Sequence, residues 1–141
     1  MRLYFAFGSN MDRAHMERLC RGAEVLGPAR LDHHRFFIAQ AGYASIAPKR
    51  GAAVHGVLWK IAALHLEKLD DYEQVAAGLY RQALVPVHHH EKLLRALAYF
   101  AGDARPGRPR PGYQEGVVVA ARAWGLPDTY VSELETFAPR A

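Results

Sequence analysis

The chain begins with an apolar and aromatic run that stops abruptly within its first ten residues. Residues 2–7 read RLYFAF, which is typical of a short buried strand. Gly8, Ser9 and Asn10 follow at once, and helix-forming residues start again at Asp12. A buried strand that ends in such a turn presents backbone N–H groups that need an acceptor. The rest of the chain must therefore supply a sheet around this strand and a partner for its turn.

Strand-like and helix-like segments alternate along the remaining sequence. Further strands are predicted at 34–40, 44–48, 52–61, 79–88 and 93–101, the last two as an antiparallel pair. Helices are predicted at 12–20, 62–73, 113–124 and 128–137. Asp12 is the expected N-cap of the first helix, Pro127 or Asp128 starts the last, and Gly56 marks a bulge or a close backbone approach. The pattern favours one α+β domain over residues 1–141, with a mixed, mostly antiparallel sheet able to close into a barrel.

Composition narrows the class of protein. Half of the 141 residues are hydrophobic, which is enough for the core of one domain. No segment approaches the roughly 20 apolar residues of a membrane-spanning helix, and no signal-peptide pattern is present, so the cytoplasm is the expected location and no membrane partner is expected. Cys20 is the single cysteine, so an internal disulfide is excluded. We expect Cys20 to be a small buried hydrophobic residue rather than a nucleophile.

The charge balance gives a mild bias toward anionic partners. Eighteen Lys and Arg against 14 Asp and Glu give a formal net charge of +4. The densest basic run, ARPGRPRPG at 104–112, lacks the interleaved aromatic residues that stack on bases, so it is predicted to be an extended, solvated loop. An arginine of this loop that attracts a carboxylate-bearing small molecule remains an alternative.

One carboxylate falls on an apolar helix face. At about 100° per residue, Ala62, Leu66 and Leu69 form a stripe that Glu73 extends. A carboxylate on the core side is either paired with a cation or partly desolvated, and desolvation raises its pKa toward the range of a general base. A structural hydrogen-bond acceptor and a catalytic group are both compatible with this position.

The other common catalytic patterns are missing from the sequence. Consecutive His88, His89 and His90 alternate faces on a strand and cannot converge on one ion, so no metal is expected. The sequence contains no G-x-S-x-G, G-x-x-x-x-G-K or G-x-G-x-x-G motif, which argues against serine hydrolases, NTPases and dinucleotide-binding enzymes.

Three ordered segments carry a resemblance to a known family. The N-terminal YFAFGSNM is similar to the signature of the γ-glutamylcyclotransferase family, also described as AIG2-like. Residues 54–87 resemble its central strand, helix, acidic turn and strand, and residues 109–137 resemble its C-terminal block with Gly-Leu-Pro before the last helix. The turn looks more like this family than like the related glutathione-specific enzymes.

The resemblance implies a barrel-like α+β fold and a cofactor-free reaction. Family members let the α-amine of a γ-glutamyl group attack its own γ-carbonyl, which yields 5-oxoproline and releases an amine or amino acid. The nucleophile belongs to the substrate, so the protein has to orient it, move a proton and stabilise an oxyanion. The implied partner is a γ-glutamyl small molecule, and a homodimer is a possible assembly.

The resemblance also implies the site residues. Glu73 matches the catalytic general acid and base, and the matching substrate-binding residues are Tyr4, Phe5, Ala6, Phe7, Gly8, Ser9 and Tyr113. Gly8 is expected to let substrate approach main-chain N–H groups, and Asn10 to brace the turn. Two residues depart from the family pattern: Phe7 stands where Tyr is frequent, and Gln74 stands where Gly commonly follows the catalytic Glu. A non-catalytic ligand-binding domain of the same fold and a small basic nucleic-acid-binding protein are the alternative functions, although only the basic loop supports the second.

Overall fold

The computed structural model describes residues 2–139. Their strands are β1 (Arg2–Ala6), β2 (Glu24–Ile38), β3 (Ala44–Ile61), β4 (Tyr80–His89) and β5 (Lys92–Ala101). Their α-helices are α1 (Arg13–Leu19), α2 (Ala63–Tyr72), α3 (Tyr113–Ala123) and α4 (Asp128–Glu135), with short 3-10 turns at Ser9–Met11 and Val75–Ala77. None of these helices is long and apolar enough to cross a membrane.

The five strands form a closed barrel in the order β1-β3-β2-β4-β5. Neighbouring strands run antiparallel except β5 and β1, which are parallel and close the barrel where Tyr4 lies beside Leu97. The predicted mixed, mostly antiparallel, barrel-like sheet is confirmed. The predicted antiparallel pair of β4 and β5 is also confirmed.

Apolar side chains from the strands and helices share one core. Phe5 and Leu58 are fully buried strand residues, and Leu69 of α2 and Leu134 of α4 are equally buried. A Cβ atom at Gly56 would lie 2.3 Å from the Ala6 carbonyl oxygen, so β1 and β3 can approach closely only with glycine there. The sequence prediction of a close backbone approach at Gly56 is therefore confirmed.

The long hairpin of β2 and β3 differs from the prediction. The strand expected to start at residue 34 begins ten residues earlier, at Glu24, because a bulge between Val25 and Gly27 carries Pro28 within the strand. Gly27 has φ +116°, a value that favours glycine. Residues 44–48 and 52–61 belong to one strand rather than two, although a second register shift falls between Asp32 and His34.

The helix boundaries largely follow the sequence signals. Asp12 is the N-cap of α1 and its carboxylate accepts a hydrogen bond from the His15 backbone N–H at 3.3 Å, as predicted. Cys20 is buried, and burial raises the pKa of its thiol to about 11. The last helix starts at Asp128 and ends at Glu135, two residues before its predicted end.

The basic run at 104–112 is an exposed loop that docks on the turn between β2 and β3. The Gly107 N–H donates to the Ile38 carbonyl at 2.8 Å, and the Arg110 N–H donates to the Gly42 carbonyl at 3.1 Å. The loop is therefore extended, as predicted, but two backbone hydrogen bonds fix it to the barrel.

Candidate active site

A cavity of about 220 Å³ is lined by the N-terminal strand and turn, the end of α2, and the starts of β3, β4 and α3. Seven of the eight sequence-predicted residues lie in its lining: Glu73, Tyr4, Phe5, Phe7, Gly8, Ser9 and Tyr113. The eighth, Ala6, is buried outside the lining. Barrel closure thus brings residues from both ends of the chain into one pocket.

Glu73 is held at the end of α2 by the way the helix stops. Its backbone N–H still donates to the Leu69 carbonyl at 2.8 Å, which continues the helical pattern. The next residue, Gln74, has φ +53° and ψ +48°, a left-handed conformation that reverses the chain into a 3-10 turn. The carboxyl of Glu73 therefore follows the last helical turn and faces the cavity instead of solvent.

The surroundings of Glu73 suit a general base. Within residues 2–139, no side-chain or backbone donor makes a hydrogen bond to its carboxyl group, and no cation pairs with it. Burial raises the pKa of Glu73 to about 7, because the charged form loses its hydration. The sequence left open a cation pair or desolvation, and desolvation is the outcome.

Tyrosine dominates the lining of the pocket. Six of the seven tyrosines of the chain lie there, and only Tyr130 is elsewhere: Tyr4, Tyr43, Tyr72, Tyr80, Tyr99 and Tyr113. The charge of Glu73 contributes to raising the pKa of four of these phenols, although burial is the larger cause for each. Each combines an apolar ring with a hydroxyl that can make a directed hydrogen bond.

Two of these hydroxyls already donate to the protein. Tyr80 donates to the Ala44 carbonyl oxygen at 2.7 Å, and Tyr99 donates to an Asp70 carboxylate oxygen at 2.7 Å. Asp70 also accepts a hydrogen bond from the Gln82 side chain, so it ties α2 to both β4 and β5. These bonds fix the lining in place.

The hydroxyls of Tyr4 and Tyr113 act as hydrogen-bond acceptors toward the protein. Tyr4 accepts a hydrogen bond from the Asn10 side chain at 2.8 Å, and Tyr113 accepts one from the Ala44 backbone N–H at 3.1 Å. Within the described part of the chain, neither hydroxyl hydrogen has an acceptor. Tyr4 and Tyr113 can therefore donate to an oxygen atom bound in the cavity.

The structure gives the contacts made by the N-terminal turn. The Asn10 side chain donates to the Tyr4 hydroxyl at 2.8 Å, which ties the turn to β1. At Gly8, a Cβ atom would lie 2.6 Å from the Tyr113 hydroxyl oxygen and 3.2 Å from the Ala44 Cβ. The close approach that requires glycine here is made by Tyr113.

The two departures from the family pattern have clear structural places. Phe7 lines the cavity with a phenyl ring that offers no hydroxyl. Gln74 occupies the left-handed position that glycine adopts at low cost, so its backbone carries strain.

Sequence reasoning missed Tyr43, Tyr72, Tyr80 and Tyr99 as pocket residues. Each lies in a separate stretch of sequence, and each also fits ordinary packing in a strand or helix. The one available signal was their identity, because tyrosine combines an apolar ring with a hydroxyl that needs a partner when buried.

Comparison with known proteins identifies the class. Residues 53–134 match the model of the AIG2-like family, a range that is more than half of the chain. The chain therefore belongs to the AIG2-like family, which confirms the resemblance found in the sequence.

The individual relatives agree with this family. The gamma-glutamylcyclotransferase of Homo sapiens is 29% identical over 150 residues, which cover 97% of this chain and 79% of the relative. A solved structure of a gamma-glutamyl cyclotransferase has a TM-score of 0.91 at 27% identity and covers 99% of this chain and 89% of that one. A second structure, of an uncharacterized protein from Homo sapiens, has a TM-score of 0.90 at 28% identity over the same shares. These relatives confirm the predicted fold and the predicted class of enzyme.

Proposed function

We propose that this protein is a γ-glutamylcyclotransferase that releases 5-oxoproline, with Glu73 as its general acid and base. The observation that carries the proposal is a carboxyl in a tyrosine-lined cavity that no donor or cation of residues 2–139 contacts, where burial raises the pKa of Glu73 to about 7. At that pKa the group can take a proton and return it near neutral pH, as a general acid and base must.

The reaction needs only groups that are present in the cavity and the substrate. The Glu73 carboxylate removes a proton from the substrate α-ammonium, and the free amine attacks the γ-carbonyl carbon to form a tetrahedral intermediate. Glu73 then gives the proton to the departing nitrogen, and the carbon–nitrogen bond breaks as the carbonyl re-forms. The ring nitrogen loses its second proton to the regenerated Glu73 carboxylate, which passes it to the released amine, so the products are 5-oxoproline and a protonated amine or amino acid. The nucleophile and the leaving group belong to one molecule, so positioning supplies much of the rate.

The negative oxygen of the intermediate requires hydrogen-bond donors. The hydroxyls of Tyr4 and Tyr113 have hydrogens to donate, and each is oriented by another protein donor, Asn10 and Ala44 respectively. We assign to them, together with the turn at Gly8 and Ser9, the binding of the substrate carboxylate and carbonyl oxygens. Donors fixed in advance in a dry cavity stabilise a developing charge without reorganising.

The test is release of 5-oxoproline from a panel of γ-glutamyl amino acids, γ-glutamyl amines and glutathione. The natural protein is compared with Glu73→Gln, which keeps the size of the side chain and cannot accept the proton. We expect a loss of kcat of at least about 100-fold, the order of magnitude of general base catalysis. The matched control is Asp71→Asn, which removes an exposed carboxylate two residues away on the same helix and should keep the rate.

Both negative outcomes are informative. Release of 5-oxoproline that survives Glu73→Gln would remove Glu73 from the mechanism while leaving the enzyme class intact. Folded protein that releases no 5-oxoproline from any member of the panel would favour a ligand-binding domain with the same fold.

A further inference from the structure

Arg110 carries a positive charge beside the cavity. In the same loop, Arg105 forms an ion pair with Asp103 at 2.6 Å. The Arg110 side chain is exposed. Among residues 2–139, no carboxylate lies within ion-pair distance of it. A positive charge is therefore available next to a pocket whose ionisable lining is otherwise acidic or phenolic.

The position of Arg110 is fixed by three contacts. Its side-chain Nε donates to the Ala41 carbonyl at 3.1 Å, and its guanidinium carbon lies 5.1 Å from the centre of the Tyr43 ring. Its aliphatic stem fills the space beside Gly42, where a Cβ atom would lie 2.7 Å from the Arg110 Cγ. Stacking on an aromatic ring and one hydrogen bond hold the guanidinium in place while its Nη groups stay free to donate.

Tyr43 connects Arg110 to the cavity. The Tyr43 ring lines the pocket and packs edge-on against Tyr113, with 5.3 Å between ring centres. The Tyr113 backbone N–H also donates to the Arg110 carbonyl at 3.0 Å. The guanidinium is thus outside the lining and separated from it by the Tyr43 ring, a position that we call the rim.

The geometry of cyclisation decides which part of a substrate reaches this rim. The glutamyl part folds into a five-membered ring, so it is compact, and its amine must lie beside Glu73. The departing group extends away from the γ-carbonyl and is the part able to leave through the opening. An amino acid in that role carries a carboxylate next to the departing nitrogen, whereas a simple amine has none.

We propose that Arg110 is a specificity-determining residue that binds a carboxylate on the departing group and so contributes to discrimination between γ-glutamyl amino acids and γ-glutamyl amines. This inference rests on the proposed function and deepens it. A guanidinium matches the geometry of a carboxylate, and such charge-assisted hydrogen bonds are stronger than neutral ones.

The experiment measures kcat and KM for γ-glutamyl-alanine and γ-glutamyl-ethylamide, which differ by one carboxylate on the departing group. The ratio of the two kcat/KM values reports the preference for the carboxylate. We expect Arg110→Gln to lower this ratio about tenfold, mainly through KM for γ-glutamyl-alanine, and to leave γ-glutamyl-ethylamide nearly unchanged. Arg110→Lys should recover part of the ratio because it keeps the charge.

The matched control is Arg108→Gln, which removes an exposed charge from the same loop and leaves the stacking of Arg110 on Tyr43 in place. It should change the ratio less than twofold. A ratio that Arg110→Gln leaves unchanged overturns the inference, and so does an equal loss for both substrates, which would mean that Arg110 acts on the glutamyl part or on the loop. If the natural protein releases no 5-oxoproline from either compound, the proposed function fails and the inference fails with it.

Discussion

Asp70 and Glu73 are two carboxylates three residues apart at the end of the same helix, yet their surroundings are opposite. Asp70 accepts hydrogen bonds from Tyr99 and Gln82 on two different strands. Glu73 faces the cavity, and within the described residues it has no hydrogen-bond donor. The Asp70 carboxylate is hydrogen-bonded within the protein, whereas the Glu73 carboxyl group is accessible from the cavity.

The contrast teaches how one helix can supply both support and chemistry. A hydrogen-bonded carboxylate is a stable link between α2 and the barrel, because its donors would lose their partner if it were removed. A carboxylate without donors is costly to ionise, and this cost is what raises the pKa of Glu73 to about 7. The link at Asp70 holds the helix end from which Glu73 projects.

The largest expected effect is the loss of stability when the Asp70 carboxylate is removed. Asp70→Ala leaves the buried Tyr99 hydroxyl and the partly buried Gln82 amide without their acceptor. An unsatisfied buried group costs about 1–3 kcal/mol and a partly buried one less, so we expect a loss of about 3 kcal/mol in the free energy of unfolding. Urea denaturation at pH 7 measures it. Asp71→Ala, an exposed acid on the same helix, should cost less than about 0.5 kcal/mol. Equal losses in the two variants would mean that Asp70 is not a structural link.

The next effect is the dependence of the reaction rate on the ionisation of Glu73. Glu73 acts as a base only when ionised, so kcat/KM should rise about tenfold per pH unit below its pKa of about 7 and level off above it. The rate at pH 5 should therefore be about 100-fold below the plateau. Asp71→Asn should keep the same midpoint. A profile that is flat from pH 5 to pH 8 would contradict a raised pKa at the catalytic group.

The same carboxyl should also make stability depend on pH. The pKa of Glu73 is raised from 4.5 to about 7 on folding, so between these values the folded protein holds a proton that the unfolded chain has lost. Stability from this group is thus greatest below pH 4.5 and declines as the pH rises through 7. Glu73→Gln lacks this decline, and its stability relative to the natural protein should rise by about 3 kcal/mol from pH 4.5 to pH 8. Denaturation at both pH values measures the change, and a constant difference would refute it.

The smallest effect is the gain in stability when the strained backbone at Gln74 is relieved. Gln74 is left-handed, a conformation that costs roughly 1–2 kcal/mol for a residue with a side chain. Gln74→Gly removes that cost but gains backbone freedom in the unfolded chain, so we expect a net stabilisation of about 1 kcal/mol or less. Gln74→Ala keeps a Cβ atom and should give no such gain in the same thermal unfolding experiment.

The sequence contained enough information to find Glu73 but not Asp70. The apolar stripe through Leu66 and Leu69 directs Glu73 inward, and Leu69 is indeed fully buried. Asp70 lies beside that stripe, and its importance comes from Tyr99 and Gln82, which only the closed barrel brings to it. Periodicity shows which face a residue occupies, but it does not show which distant donor meets it there.

The limits at the strands have a similar cause. The sequence predicts a strand only from residue 34, because Gly27 and Pro28 are residue types that interrupt regular strands, yet a bulge lets β2 begin at Glu24 and continue through them. The family resemblance reached the turn at Gly8, but the reason for glycine there is the hydroxyl of Tyr113, more than 100 residues away. Local residue types predicted the elements well, whereas contacts made by closing the barrel required the structure.

The pairing of β1 with β5, which closes the barrel, has a consequence for folding during translation. Tyr4 meets Tyr99 across this pair of strands, with 5.8 Å between ring centres, and Gly8 meets Tyr113. A polypeptide emerging from the ribosome presents β1 first and its partner β3 within the first 61 residues, whereas β5 and Tyr113 follow much later. Contacts so far apart in sequence form slowly. The nascent chain therefore cannot complete the lining of the cavity until Tyr113 has emerged.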